Sequence, residues 1–242
     1  MCFSARASFL AAGVLLPMGV AAWRNGWGKP EQRPLAMAPL LFGFQQACEG
    51  VVWLGIEGAG AAGTESWPSI TLMATLAYLF FAYALWPLWI PWAAVALLRR
   101  SVPRIPLLVQ ALPLLGLVPA LLLWLPLLAH PQHALPRPMG HALIYGVPPW
   151  TLQLLPPLVG PALYGALIVA PLLLVPSLRV RIFGLTLLLA FALSLWSSRA
   201  ALTSVWCFAS ALLSAQILWI LRERDTLPAN PAGGPTQVGI PS

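Results

Sequence analysis

The chain has 242 residues, 60% of them hydrophobic and only 8% charged, with a mean hydropathy of +0.83. Soluble domains carry about a quarter charged residues, so there are too few polar groups here to cover a water-facing surface, and a soluble globular protein is excluded. The net charge of +7 would suggest a nucleic-acid partner in a soluble protein. In this chain the basic residues fall in small groups at the ends of apolar runs, where topology and anionic headgroups explain them, so the expected surroundings are the lipid bilayer and no nucleic acid is expected.

A bilayer core about 30 Å thick needs about 20 apolar residues in a helix. In chain order the candidate spans are Ser8 to Trp23, Pro34 to Ile56, Ile70 to Leu98, Pro106 to Leu128, Thr151 to Val175, Ile182 to Trp196 and Leu202 to Leu221. The pattern predicts an all-α polytopic membrane bundle of seven transmembrane helices over residues 1–225. The third span is long enough to tilt or kink, and the sixth is short enough to need close packing or local thinning. The first run ends in small residues, Gly19 to Ala22, of the kind a signal peptidase accepts. One Arg precedes it and three basic residues follow it, which favours a retained span entering outer end first.

Arg24, Lys29, Arg33, Arg99, Arg100, Arg104, Arg179, Arg181, Arg222 and Arg224 lie in alternate gaps and the tail, while the other gaps hold only Arg6, Arg137 and Arg199. Basic residues stay in the cytoplasm, so the amino terminus is expected outside and the carboxyl terminus inside. Tryptophans agree: Trp23, Trp27 and Trp219 fall near the inner boundary, and Trp67, Trp150 and Trp196 near the outer one. Beyond Asp225 the composition turns to Pro, Gly, Ala, Asn and Thr without an apolar period, which predicts a disordered cytoplasmic tail over 226–242.

Many of the 26 prolines fall inside spans, among them Pro17, Pro39, Pro87, Pro91, Pro113, Pro119, Pro161 and Pro171. Each removes a backbone donor, which a membrane helix tolerates when a neighbour satisfies the freed carbonyl. The segment Trp86-Pro87-Leu88-Trp89-Ile90-Pro91-Trp92 reads either as a hinge or aromatic-lined cavity, or as bulky packing around a fixed kink.

The costly sequence lies in the second span, at Gln45, Gln46, Cys48 and Glu49. A charged carboxylate at depth costs at least ~2.5 kcal/mol on insertion scales, so Glu49 needs a protonated form, a polar partner or access to water. Gln45, Glu49 and Trp53 share one helical face, and Glu57 continues it to the outer boundary. In the seventh span Ser204, Cys207, Ser210 and Ser214 recur three or four apart, with Cys207 at about the depth of Glu49. The expectation is a small polar pocket in the outer half, drawn from Gln45, Gln46, Glu49, Trp53, Cys207, Ser210 and Ser214, with Arg199 near its mouth. The plain alternative is a protonated Glu49 hydrogen-bonded to a neighbouring helix.

Named chemistries find no support. His130, His133 and His141 all lie in the fourth gap, where prolines interrupt the local helix, so solvated loop histidines are expected rather than a metal site. Cys2, Cys48 and Cys207 form no pair suited to a disulfide, zinc or thiol-oxidase site. Retinal would need a lysine deep in the last span, and Lys29 is the only lysine. With no histidine within a span, haem ligation and intramembrane hydrolysis lack their groups. No cofactor and no catalytic constellation are expected.

The opening Met1-Cys2-Phe3-Ser4-Ala5, with Ala7-Ser8-Phe9, resembles the start of a bacterial multi-pass membrane family defined by a domain of unknown function. The resemblance continues through Pro39-Leu40-Leu41-Phe42-Gly43, Gln45-Gln46, Glu49-Gly50-Val51-Val52-Trp53, Ser204-Val205-Trp206-Cys207-Phe208 and Ala211-Leu212-Leu213-Ser214. It implies a seven-helix protein of the bacterial inner (plasma) membrane, and draws attention to Cys2, Ser4, the Gln45 to Glu49 stripe and Trp206-Cys207. Arg6 departs from the family's opening pattern and leaves any shared chemistry open. Three roles are compatible with this reading: a sensor or transporter binding a small molecule in the polar pocket, a non-catalytic assembly or partner protein in the membrane, and an enzyme using Cys207 or Cys48, which burial in apolar surroundings disfavours.

Overall fold

The computed structural model describes residues 4–62, 69–102, 104–147, 156 and 158–222. Helix α1 (Ala5–Gly26) begins at Ser4, whose hydroxyl accepts a hydrogen bond from the Ala7 amide at 3.3 Å and so satisfies one of the open amides of the first turn. Helix α2 (Arg33–Ala62) returns antiparallel to it. Small residues let the two backbones touch: a Cβ on Gly19 would collide with the Leu40 backbone, and one on Gly26 would lie 2.6 Å from the Ala36 Cβ. Gly50 gives the same room to the Phe9 ring. In lipid, where apolar burial drives little association, such close contact is what holds helices together.

Helix α3 (Ser69–Ser101) is the long third span, and a π-helical turn at Phe81–Leu85 interrupts it immediately before Pro87. There the Trp86 amide bonds to the Phe81 carbonyl instead of the Ala82 carbonyl. The wider turn accommodates the proline ring and leaves Ala82 O open. The Tyr164 hydroxyl donates to that oxygen from another helix, which is the neighbour's repair that membrane prolines require. Helix α4 (Leu112–Ala129) repeats the device, with a π turn at Ala120–Trp124 ahead of Pro126. Only 11% of its apolar window is buried, so most of its leucines face outward, as lipid permits.

Helices α5 (Val159–Leu174), α6 (Leu178–Ser197) and α7 (Leu202–Leu221) complete the bundle. The described chain is about 80% helical, and six helices are long and apolar enough to cross a membrane; α5, with 16 described residues, is the shorter one. Residues 151–155, which the fifth span was expected to include, lie outside the described residues, as do Cys2, Glu65, Trp67, Trp150, Arg224 and the tail over 226–242. The sixth helix is longer than its hydropathy suggests. It starts at Leu178, capped by the Ser177 hydroxyl, and takes Arg179 and Arg181 into its first turns. Both guanidiniums reach back to carbonyls, Arg179 to Trp219 O at 2.7 Å and Arg181 to Val175 O at 2.9 Å, so charged residues extend a helix that an apolar count cuts short.

Between α4 and α5 the chain forms a feature the sequence reading did not contain. A 3₁₀ turn (Pro131–Ala134) leads into an antiparallel hairpin of β1 (Arg137–Met139) and β2 (Ala142–Ile144), in register Arg137 to Ile144 and Met139 to Ala142. Gly140 holds φ 59° at the first central position of the two-residue turn, as a type II′ hairpin demands. β1 is exposed throughout, whereas Ala142, Leu143 and Tyr145 are buried in an apolar cluster with Ala5, Trp53, Tyr78 and Ala201. The hairpin therefore plugs the end of the bundle where α1 and α7 begin. At the opposite end Arg100 pairs with Glu31 at 3.5 Å, Arg33 lies over the Trp27 ring and Arg179 over the Trp219 ring.

Candidate functional site

Polar side chains that hydrocarbon cannot solvate gather beneath the hairpin. Glu49 is 1% exposed, and Ser204 of α7 donates to its Oε1 at 2.7 Å. Because α2 and α7 run antiparallel, stepping one turn back from Glu49 to Gln45 corresponds to stepping from Ser204 to Cys207, and Cys207 has Gln45 and Tyr78 for neighbours. Gln46, Tyr78 and Tyr145 also surround the Glu49 carboxyl. Tyr78 comes from α3, where Thr71, Thr75 and Tyr78 form one buried stripe; its ring stacks on Tyr145 at 4.7 Å and its hydroxyl donates to Thr203 O at 3.3 Å. Tyr145 comes from the segment after β2. Burial pushes its phenol well above the ordinary tyrosine range, and the nearby Glu49 carboxylate pushes the same way, so it remains a neutral hydroxyl at physiological pH.

The floor of the site is the Gln45–Trp86 pair. Trp86 Nε1 donates to Gln45 Oε1 at 2.7 Å while the Trp86 ring stacks on Phe42 at 3.8 Å. Beyond this floor lies a separate cavity of about 20 Å³, room for about one water molecule, walled mainly by Phe42, Trp86, Tyr164, Phe183 and Trp206, with Cys207 and Ser210 on one side. The aromatic segment at Trp86–Trp92 thus lines a cavity and, through Trp86, fixes the polar cluster. Trp89 instead donates to Pro34 O at 2.8 Å, and Trp92 is exposed.

The residues expected to form one pocket divide among four places. Gln45, Gln46, Glu49, Trp53 and Cys207 are all buried in or beside the cluster. Ser210 lies in the wall of the small cavity, and Ser214 bonds to its own helix at Ala211 O (2.6 Å), about 15 Å along the helix from Ser204. Arg199 is exposed at the turn before α7 and is no part of the buried set. Ser204, known from the sequence only as a member of the α7 stripe, proves to be the direct partner of Glu49. Thr71, Thr75 and Tyr78 were readable as a stripe four and three residues apart on α3; Tyr145 has no helical register that would have pointed to it.

The cluster has more hydrogen-bonding capacity than the protein fills. Among the described residues, Gln45 Nε2, both amide atoms of Gln46, Trp53 Nε1 and Tyr145 OH are buried without a close hydrogen bond, although Gln46 and Tyr145 stand beside the Glu49 carboxyl and Gln45 beside the Cys207 thiol. An unpaired buried polar group costs about 1–3 kcal/mol, and native proteins keep few of them. The three histidines are exposed near the hairpin, with the His130 and His133 rings 5.6 Å apart, and no described group of three His, Cys, Asp or Glu residues is placed to hold a metal. The buried cluster can bind and orient a polar molecule. Compared with known proteins, the chain matches no family model, no curated protein and no solved structure.

Proposed function

We propose that this is a seven-span protein of a bacterial inner membrane, amino terminus outside and carboxyl tail in the cytoplasm, that binds a small polar molecule at Glu49 in the outer half of the bundle. The seven-span count treats α5 as a span completed by residues ahead of Val159, and the orientation follows the gathering of nine described basic residues at one end against Arg6, Arg137 and Arg199 at the other. The family resemblance of the opening and of the Gln45 to Trp53 stretch supports the same reading.

The observation that carries the binding role is the surplus of unpaired donors and acceptors around a carboxyl that is 1% exposed. A buried network kept only to set helix register is most stable when every member is satisfied from within. This one leaves the Gln46 amide and the Tyr145 phenol beside Glu49 without a tight hydrogen bond, which suits a neutral ligand that both donates and accepts hydrogen bonds.

The test is thermal unfolding of the protein in lipid nanodiscs against a panel of small amides, alcohols and zwitterionic amino acids. A ligand that binds only the folded state raises Tm with the logarithm of its concentration above Kd, by about 2.7 kcal/mol of stability at a hundredfold excess over Kd. The rise is expected to vanish in Glu49→Gln and Gln46→Leu. Density from protein kept in native lipid that shows Gln46, Trp53 and Tyr145 pairing with one another would overturn the reading.

A further inference from the structure

We infer that the Arg137–Ile144 hairpin is the gate of the Glu49 site and that the site opens on the hairpin side alone; this rests on the binding role proposed above. The site is closed at both ends, so a ligand can enter only if one closure moves. One closure is the floor, where Trp86 is bonded to Gln45 and stacked on Phe42, residues of two membrane helices backed by Phe183 and Trp206 of two more. Opening it means separating the packed helices of the bundle. The other closure is Tyr145, carried on a segment outside the helices and held by a hairpin with three residues in each strand.

The hairpin is attached lightly. All of β1 is exposed, and the segment enters the bundle through Ala142, Leu143 and the Tyr145 ring, with Ile144 and Val147 packed against the same cluster. The segment is fastened at its base, where Gly146 lies so close to the His133 carbonyl that no Cβ fits. Tyr145 ties closure to occupancy: its ring lies on Tyr78, while its hydroxyl stands beside the Glu49 carboxyl without closing a tight hydrogen bond. A ligand bonded to that hydroxyl would hold the shutter down, whereas a short element with few buried side chains opens locally without unfolding the rest.

Cys207, 6% exposed beneath this shutter, is the reporter. In a Cys2→Ser, Cys48→Ala background it is the only thiol, and its modification by a membrane-impermeant methanethiosulfonate is timed in vesicles of each orientation. Tyr145→Ala should speed labelling from the hairpin side by at least about tenfold, Gly146→Val should do likewise by unseating the base, and Tyr145→Phe, which keeps the ring, should stay near the parent rate. Parent-like protection in both Tyr145→Ala and Gly146→Val, or acceleration that is equal from the two sides, would overturn the gate. The readout needs no ligand, so a failed gate and an empty binding panel are separate results.

Discussion

Ser204 and Glu49, 155 residues apart, are joined by a buried 2.7 Å hydrogen bond that ties α7 to α2. The hydroxyl is the donor, so Ser204→Ala leaves Glu49 Oε1 without it. The expected loss is about 1–3 kcal/mol of stability, the range for stranding a buried polar atom. Glu49→Gln retains an oxygen for Ser204 and should cost less. Removing both groups in Ser204→Ala/Glu49→Leu should cost less than the Ser204→Ala and Glu49→Leu losses added, with a coupling of about 0.5–3 kcal/mol. Unfolding midpoints in one detergent measure all four corners of the cycle, and strict additivity would contradict the bond.

The Trp86 indole performs two tasks that substitution can separate. Trp86→Phe keeps an aromatic ring against Phe42 but withdraws the 2.7 Å donor from Gln45 Oε1, whose Nε2 is already unpaired. A loss of about 1–3 kcal/mol is expected, most of it recovered in Trp86→Phe/Gln45→Leu, where neither polar partner remains. A Trp86→Phe protein with wild-type stability would show that the floor is held by stacking alone.

The spans were legible because hydrocarbon imposes its length on any helix that crosses it, and Glu49 stood out because a carboxyl in such a run has few places to go. Where charge and helix overlap, the reading failed: Arg179 and Arg181 looked like a loop, yet their long stems let the guanidiniums bond to carbonyls while their backbones stay helical. Counting along α7 set Cys207 at the depth of Glu49, whereas Ser204 meets Glu49 and Cys207 lies a turn further on beside Gln45, because a shared face says nothing of which neighbour it meets at each turn. The hairpin was beyond the same method. Its strands are three residues long, and Leu143 and Tyr145 are ordered by the bundle they plug rather than by any local period. Only Gly140, set between short alternating segments, marked a turn.

Topology can be checked with thiols placed at the two ends. His141 is exposed on the hairpin turn, and Ser101 is exposed at the end of α3 among the arginines. In a background lacking the native cysteines, an impermeant maleimide added to intact cells should label His141→Cys and should reach Ser101→Cys only after permeabilisation. The reverse pattern would invert the orientation and place the hairpin in the cytoplasm.

Two glycines of α1 should respond to the same substitution with opposite sign. A Cβ on Gly13 meets nothing within 4 Å, so Gly13→Ala should remove the conformational penalty of a mid-helix glycine and raise stability by about 0.5–1 kcal/mol. Gly19 is where α1 touches the α2 backbone at Leu40, and backbone cannot swing aside as a side-chain tip can. Gly19→Ala should therefore push the helices apart and cost about 1–3 kcal/mol. The separation would also move Gly43 from Leu16 and Gly50 from Phe9, loosening the helix that carries Glu49. Unfolding in a graded detergent series measures both variants, and equal effects would mean that α1 and α2 are not in backbone contact.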